Sequence, residues 1–152
     1  MPSSLDALSN NLTDDQYKNT NRYYSGEHFK LLRKKGVYPY EWTNFERLSA
    51  TELPSKNEFY SRLAEEGISD DDYAHAQNVW KTFGCKTFMD YHDLYNVSDV
   101  LLLADIFETF RDTCMKNYKL DPAWYYTSPG LSWDAMLKMT KIELELLYLL
   151  CL

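Results

Sequence analysis

The chain has 152 residues, of which 45% are hydrophobic and 16% aromatic, so it is long enough for one domain with a real core and is not a disordered composition. Five glycines and five prolines are few for a turn-rich all-β fold and suit helices with short connections. A net charge of −7 and a pI near 4.9 argue against wrapping nucleic acid through the overall field, but leave room for an enzyme that grips a strand end through metal ions, which bring positive charge themselves.

Taken in order, the punctuation predicts one helix after another. Ser3 or Ser4 caps a short helix carrying Leu5, Leu8 and Leu12. A second helix runs from Glu27 to Lys35 and stops at Gly36. Its basic end, Lys30-Leu-Leu-Arg-Lys-Lys35, reads as a solvated helix C-terminus, where cations are stabilising, with a phosphate site as the alternative. Pro39 forbids helix through "GVYPYEW" and pushes Tyr38 toward extended geometry. Ser55 and Glu58 form a capping-box pattern for a helix ending near Gly67, and Ser69 and Asp72 repeat the device for one ending at Gly84.

Thr87 and Asp90 open a long helical region continuing toward Tyr118. Asp121-Pro122 reads as an N-cap with proline at the first helical position, "YYTSPG" as a turn, and a last helix begins near Ser132 with Ala135, Met136, Met139, Ile142 and Leu146. Trp42, Trp80, Trp124 and Trp133 are assigned mainly to core packing. Cys85, Cys114 and Cys151 are odd in number and in no metal-ligand spacing, which fits reduced thiols in an intracellular protein. No signal peptide is visible, and the apolar tail Leu144–Leu152 is too short to span a bilayer, so no membrane is expected among the partners. The fold class is mainly α.

The segment "YHDLYNVSDVLLLADIFETFRD" (91–112) holds the main candidate site. It reads as a buried helix in which Val100, Leu101, Leu102, Leu103, Ile106, Phe107 and Phe110 crowd together. Asp99 lies one helical turn beyond Tyr95 on a face that Leu102, Leu103 and Ile106 continue. A carboxylate there needs a cation, hydrogen bonds or a metal. One reading is a metal-dependent nuclease site, in which Asp99 ligates a divalent ion and Tyr95 holds the attacking water. The other is capping: Asn96 starts the helix and Asp99, at its third position, bonds back to the cap. Spacing alone does not separate them.

The stretches "KKGVYPYEW", "EFYSRLAEEGISDDDYAHAQNVW", "YHDLYNVSDVLLLADIFETFRDTCMKNYKLDP" and "YYTSPGLSWDAMLKMT", together and in this order, resemble the protein-primed family B DNA polymerases of organelles, viruses and Polinton or Maverick-type transposons. The resemblance implies that "YNVSD" is the third exonuclease motif, Tyr-x3-Asp. Asp99 would then ligate Mg2+ or Mn2+ at a 3′–5′ proofreading site and Tyr95 would orient the nucleophilic water. It further implies DNA primer–template, deoxynucleotides and a terminal protein primer as partners. Tyr126, Thr127 and Ser128 would lie near the primer or template backbone.

The family's other motifs are absent: there is no Asp-x-Glu, no convincing second exonuclease motif, and neither Asp-x-x-Ser-Leu-Tyr-Pro nor Tyr-x-Asp-Thr-Asp. The expectation is therefore a fragment of a ribonuclease-H-like α/β exonuclease domain with most sheet strands missing. Residues 1–120 would be the C-terminal part of that domain, and residues 121–152 the connection toward a polymerase core. Such a fragment is expected to be inactive in isolation. The alternative is a non-catalytic helical module that binds protein or DNA.

Overall fold

A computed structural model describes residues 4–145. Cys151, Leu146 and the tail beyond Glu145 lie outside the described residues. Six α-helices are described, α1 (Leu5–Ser9), α2 (Lys18–Tyr23), α3 (Gly26–Leu32), α4 (Asp70–Thr82), α5 (Phe88–Tyr118) and α6 (Ser128–Thr140), with short 3-10 turns between some of them. No strand is described beyond one isolated antiparallel bridge between Ser61 and Glu66. The mainly α expectation holds. Packing divides the chain into two compact units between residues 106 and 107, a boundary that falls inside α5.

The first unit is built on α4 and the first half of α5. Ser69 caps α4 by accepting the Asp72 N–H at 3.0 Å, and its hydroxyl donates to the Asp72 carboxylate at 2.7 Å. The acidic run Asp70–Asp72 thus lies in the first turn, where the helix dipole favours negative charge. Asp90 opens α5 by accepting the backbone N–H groups of Lys86 and Thr87. Ala76 and Val79 of α4 meet Phe88, Tyr91 and Leu94 of α5 and Leu32 of α3 in one buried cluster, against which Val37, Tyr38, Trp42 and Trp80 pack.

The N-terminal helices are held down by a buried carboxylate. Asp105 is completely inaccessible. It accepts the Asn19 N–H at 2.6 Å, the Thr20 N–H at 3.0 Å and the Thr20 hydroxyl at 2.6 Å. Its two oxygens thereby satisfy donors that the start of α2 cannot pair internally.

The second unit comprises the end of α5, a 3-10 turn over Pro122–Trp124 and α6. Arg111 binds Asp121 through two parallel hydrogen bonds of 2.9 and 2.6 Å and also donates to Glu108. That guanidinium holds the Asp121 carboxyl below the usual carboxylate range. Asp121 in turn accepts the Ala123 N–H, capping the turn as its sequence suggests.

Several expectations need correction. The helix predicted after Ser55 is a 3-10 turn over Lys56–Phe59: the capping box forms, but Tyr60 turns extended and the chain goes on into the bridge at Ser61. The helix α2 comes from a polar stretch with no apolar periodicity, and it is fixed from outside by Asp105. The last helix starts at Ser128, capped by Thr127, because Pro129 and Gly130 fit within its first turn; it ends at Thr140, before Ile142. The apolar run on α5 is largely at the surface: Leu101 and Leu102 are buried, but Val100, Leu103, Phe107 and Phe110 are exposed. Trp124 and Trp133 are exposed as well, whereas Trp42 and Trp80 join the core as expected.

Candidate functional site

The site forms in the first unit, where the loop after α3 crosses α5. Pro39 breaks regular structure, and the loop lies against Tyr95: a methyl group added at Gly36 would make ordinary van der Waals contact with that ring, at 3.4 Å. The Tyr91 hydroxyl donates to the Val37 carbonyl at 2.7 Å and pins the loop to the helix. Tyr38 lies beside Tyr95 with ring centroids 4.8 Å apart, and its hydroxyl is 2.7 Å from His92 Nδ1. The other His92 nitrogen, Nε2, accepts from the Asn96 amide at 2.9 Å, so His92 is a bonded helix-surface residue.

This loop brings two residues to Tyr95 that the spacing does not reveal. The Tyr40 hydroxyl is 2.6 Å from the Tyr95 hydroxyl, and Lys35 Nζ donates to the same oxygen at 3.2 Å. Burial, the Tyr40 bond and the Asp99 charge push the Tyr95 phenol well above its ordinary pKa, so it keeps its proton at neutral pH. The ammonium occupies an acceptor position on Tyr95, and one of the two hydroxyls, Tyr95 or Tyr40, donates to the other.

Asp99 sits beside this group. Its Oδ2 is 3.8 Å from Lys35 Nζ, a loose ion pair. Its Oδ1 is enclosed and has no hydrogen-bond donor. The capping reading of Asp99 is corrected: α5 is continuous from Phe88 to Tyr118, so Asn96 is interior to the helix and Asp99 bonds no cap. The side chain is three-quarters covered, with 25% of its surface exposed, so it does not point freely into solvent.

The arrangement joins an ammonium, a protonated phenol and a carboxylate whose Oδ1 is enclosed and unpaired. It can orient a water or a polar ligand between Tyr95 and Asp99. Toward Mg2+ or Mn2+, Asp99 has one or two oxygens to give; these ions prefer several oxygen ligands, so the rest must come from other residues, substrate phosphate or water. Among the described residues no three or more His, Cys, Asp or Glu side chains converge on one point. Cys85 and Cys114 are free thiols.

Comparison with protein-family models, curated proteins and solved structures finds no match in any of the three. Beside the residues themselves, the helical fold and the geometry around Tyr95 are what bear on function. Lys35 and Tyr40 are the functional candidates that sequence reasoning missed. Both lie inside the quoted "KKGVYPYEW", but a separation of 55 to 60 residues from Tyr95 gives no spacing signal.

Proposed function

We propose that this chain is part of a protein-primed family B DNA polymerase, from the C-terminal side of its ribonuclease-H-like 3′–5′ exonuclease domain, with Tyr95 and Asp99 as its third exonuclease motif. Residues 121–152 are the connection toward the polymerase core. The observation that carries the reading is the enclosed, donor-free Asp99 Oδ1 on the face of Tyr95, with Lys35 bridging both. Lys35 supplies a positive charge that a phosphodiester oxygen can use, and Tyr95 supplies a hydrogen bond to a water. Divalent metal, when bound, provides the activation of that water and stabilises the leaving oxygen.

The test begins with the DNA around the coding sequence. Translation should reveal Asp-x-Glu upstream and Tyr-x-Asp-Thr-Asp downstream. The whole product, purified, should shorten a labelled primer in magnesium or manganese. Asp99→Ala should lower that rate by at least about a hundredfold and Tyr95→Phe by less. Flanks without those motifs, or a whole product whose nuclease activity is indifferent to Asp99, would overturn the reading.

A second reading, a helical module that binds another protein, rests on the second unit. There Phe107, Phe110, Tyr125, Tyr126 and Leu131 line an open groove, and Tyr126 is fully exposed.

A further inference from the structure

Tyr38 is the central ring of an aromatic group around the candidate site. Its ring lies 4.8 Å from that of Tyr95 at a tilt of 32°, 5.1 Å from that of Tyr40, edge to face, and 5.7 Å from that of Phe88. A phenylalanine would make all of these contacts. What the hydroxyl adds is one bond, 2.7 Å long, to Nδ1 of His92, three residues before Tyr95 on α5. His92 is braced in turn by the Asn96 amide, 2.9 Å from its Nε2. We propose that Tyr38, locked by His92, is a positioning residue that sets where the Tyr95 hydroxyl points; the catalytic meaning of that direction rests on the nuclease reading, the coupling does not.

The Tyr95 hydroxyl has two possible directions. It pairs with the Tyr40 hydroxyl across 2.6 Å, one of the two donating to the other, and accepts from Lys35 Nζ at 3.2 Å. When Tyr95 is the donor, its hydrogen is committed to Tyr40; when Tyr40 is the donor, that hydrogen is free for a water. Tyr40 is not fixed by burial, because 62% of it is exposed. Tyr38 is what holds it: the Tyr40 N–H donates to the Tyr38 carbonyl at 3.1 Å, and the two rings meet edge to face.

Tyr38 therefore touches both members of the phenol pair, and its far end is tied to the helix that carries Tyr95. The frame around it is stiff. Val37, the preceding residue, is pinned by Tyr91, and with both nitrogens engaged the His92 ring cannot turn without breaking a bond. Burial raises the Tyr38 phenol above its ordinary pKa, so its hydroxyl stays neutral and keeps its hydrogen. Ring contacts tolerate sliding, whereas a hydrogen bond fixes a distance and an angle. A group that orients a reacting water has to be held within about 0.5 Å, which is the tolerance this bond can enforce.

Tyr38→Phe, which keeps the ring, and His92→Ala and His92→Gln test this in two measurements. In the full chain, isotope-labelled at tyrosine Cζ, the NMR resonance of Tyr95 is identified by its loss in Tyr95→Phe and reports the hydrogen bonding of its hydroxyl. It should shift in Tyr38→Phe and in His92→Ala alike, and return toward the parent position in His92→Gln, whose amide can meet the Tyr38 hydroxyl. In the whole product, kcat for primer shortening should fall about tenfold in Tyr38→Phe and His92→Ala with KM for the primer unchanged, and His92→Gln should recover most of the loss. A Tyr95 resonance indifferent to Tyr38→Phe and His92→Ala would overturn the proposal. So would a kcat loss that merely follows a lowered thermal midpoint, since Tyr38 would then only hold the fold together. If Asp99→Ala abolishes nuclease activity while Tyr38→Phe and His92→Ala leave kcat unchanged, the nuclease reading stands and this proposal fails. If the resonance responds as expected and no form of the whole product shortens a primer, the nuclease reading fails and the coupling stands.

Discussion

Asp99 and Asp105 lie on the same helix and meet opposite surroundings. Asp105 has three donors within 3.0 Å and no solvent; Asp99 has a loose ion pair through one oxygen and nothing on the other. Asp105→Ala leaves two backbone N–H groups and a hydroxyl unpaired in the interior, and should lower stability by about 3 kcal/mol or more. Asp99→Ala removes an acceptor that already lacks a donor, and should change stability by no more than about 1 kcal/mol. Urea denaturation of the two variants checks the contrast; an Asp99→Ala loss as large as that of Asp105→Ala would make Asp99 a structural residue. His75 provides a pH signature at the same scale. Burial, then the Lys34 charge, lowers its pKa below the ordinary 6.5. The unfolded chain therefore binds this proton more readily than the folded one. The His75 contribution is complete above pH 6.5 and is lost as the pH falls through that value toward the folded pKa. The urea midpoint should drop between about pH 7.5 and about pH 5.5, and His75→Gln should reduce the drop.

At the scale of elements, side-chain caps decide where helices begin. Ser69→Ala removes the acceptor for the Asp72 N–H and should destabilise α4 by about 1 kcal/mol, measured as a fall in the thermal midpoint. The same local chemistry explains which elements were legible in the sequence. Ser4, Ser69 and the Thr87–Asp90 pair act on amides within three or four residues, and α1, α4 and α5 start where those patterns say. Thr127 caps just as locally, but its proline and glycine neighbours resemble a turn and hid the start of α6. Local signals fail where the deciding partner is distant. Ser55 and Glu58 make their box, yet no apolar face follows to extend the turn into a helix. The start of α2 depends on a carboxylate 85 residues away. At the candidate site, Tyr95 and Asp99 were legible because they share one helix, whereas Lys35 and Tyr40 reach them through the fold.

For the molecule as a whole, apolar periodicity overstated burial. The α5 run was expected to be covered on most sides, but it spans the boundary between two units and leaves Val100, Leu103, Phe107 and Phe110 exposed. The basic run after α3 is largely neutralised by the fold: Arg33 pairs with Asp14, Lys34 with Asp72 and Lys35 loosely with Asp99. No described helix is long and apolar enough to cross a membrane.

The Asp105 tether also sets an order of assembly. Residues 19 and 20 cannot receive their partner until α5 exists, and closing a loop of more than 80 residues is entropically slow compared with forming the α4 and α5 contacts. In pulse-labelled exchange during refolding, the amides of residues 19 and 20 should gain protection after those of Tyr91 to Tyr95. On a ribosome, the part of this chain made first would wait for the part made later.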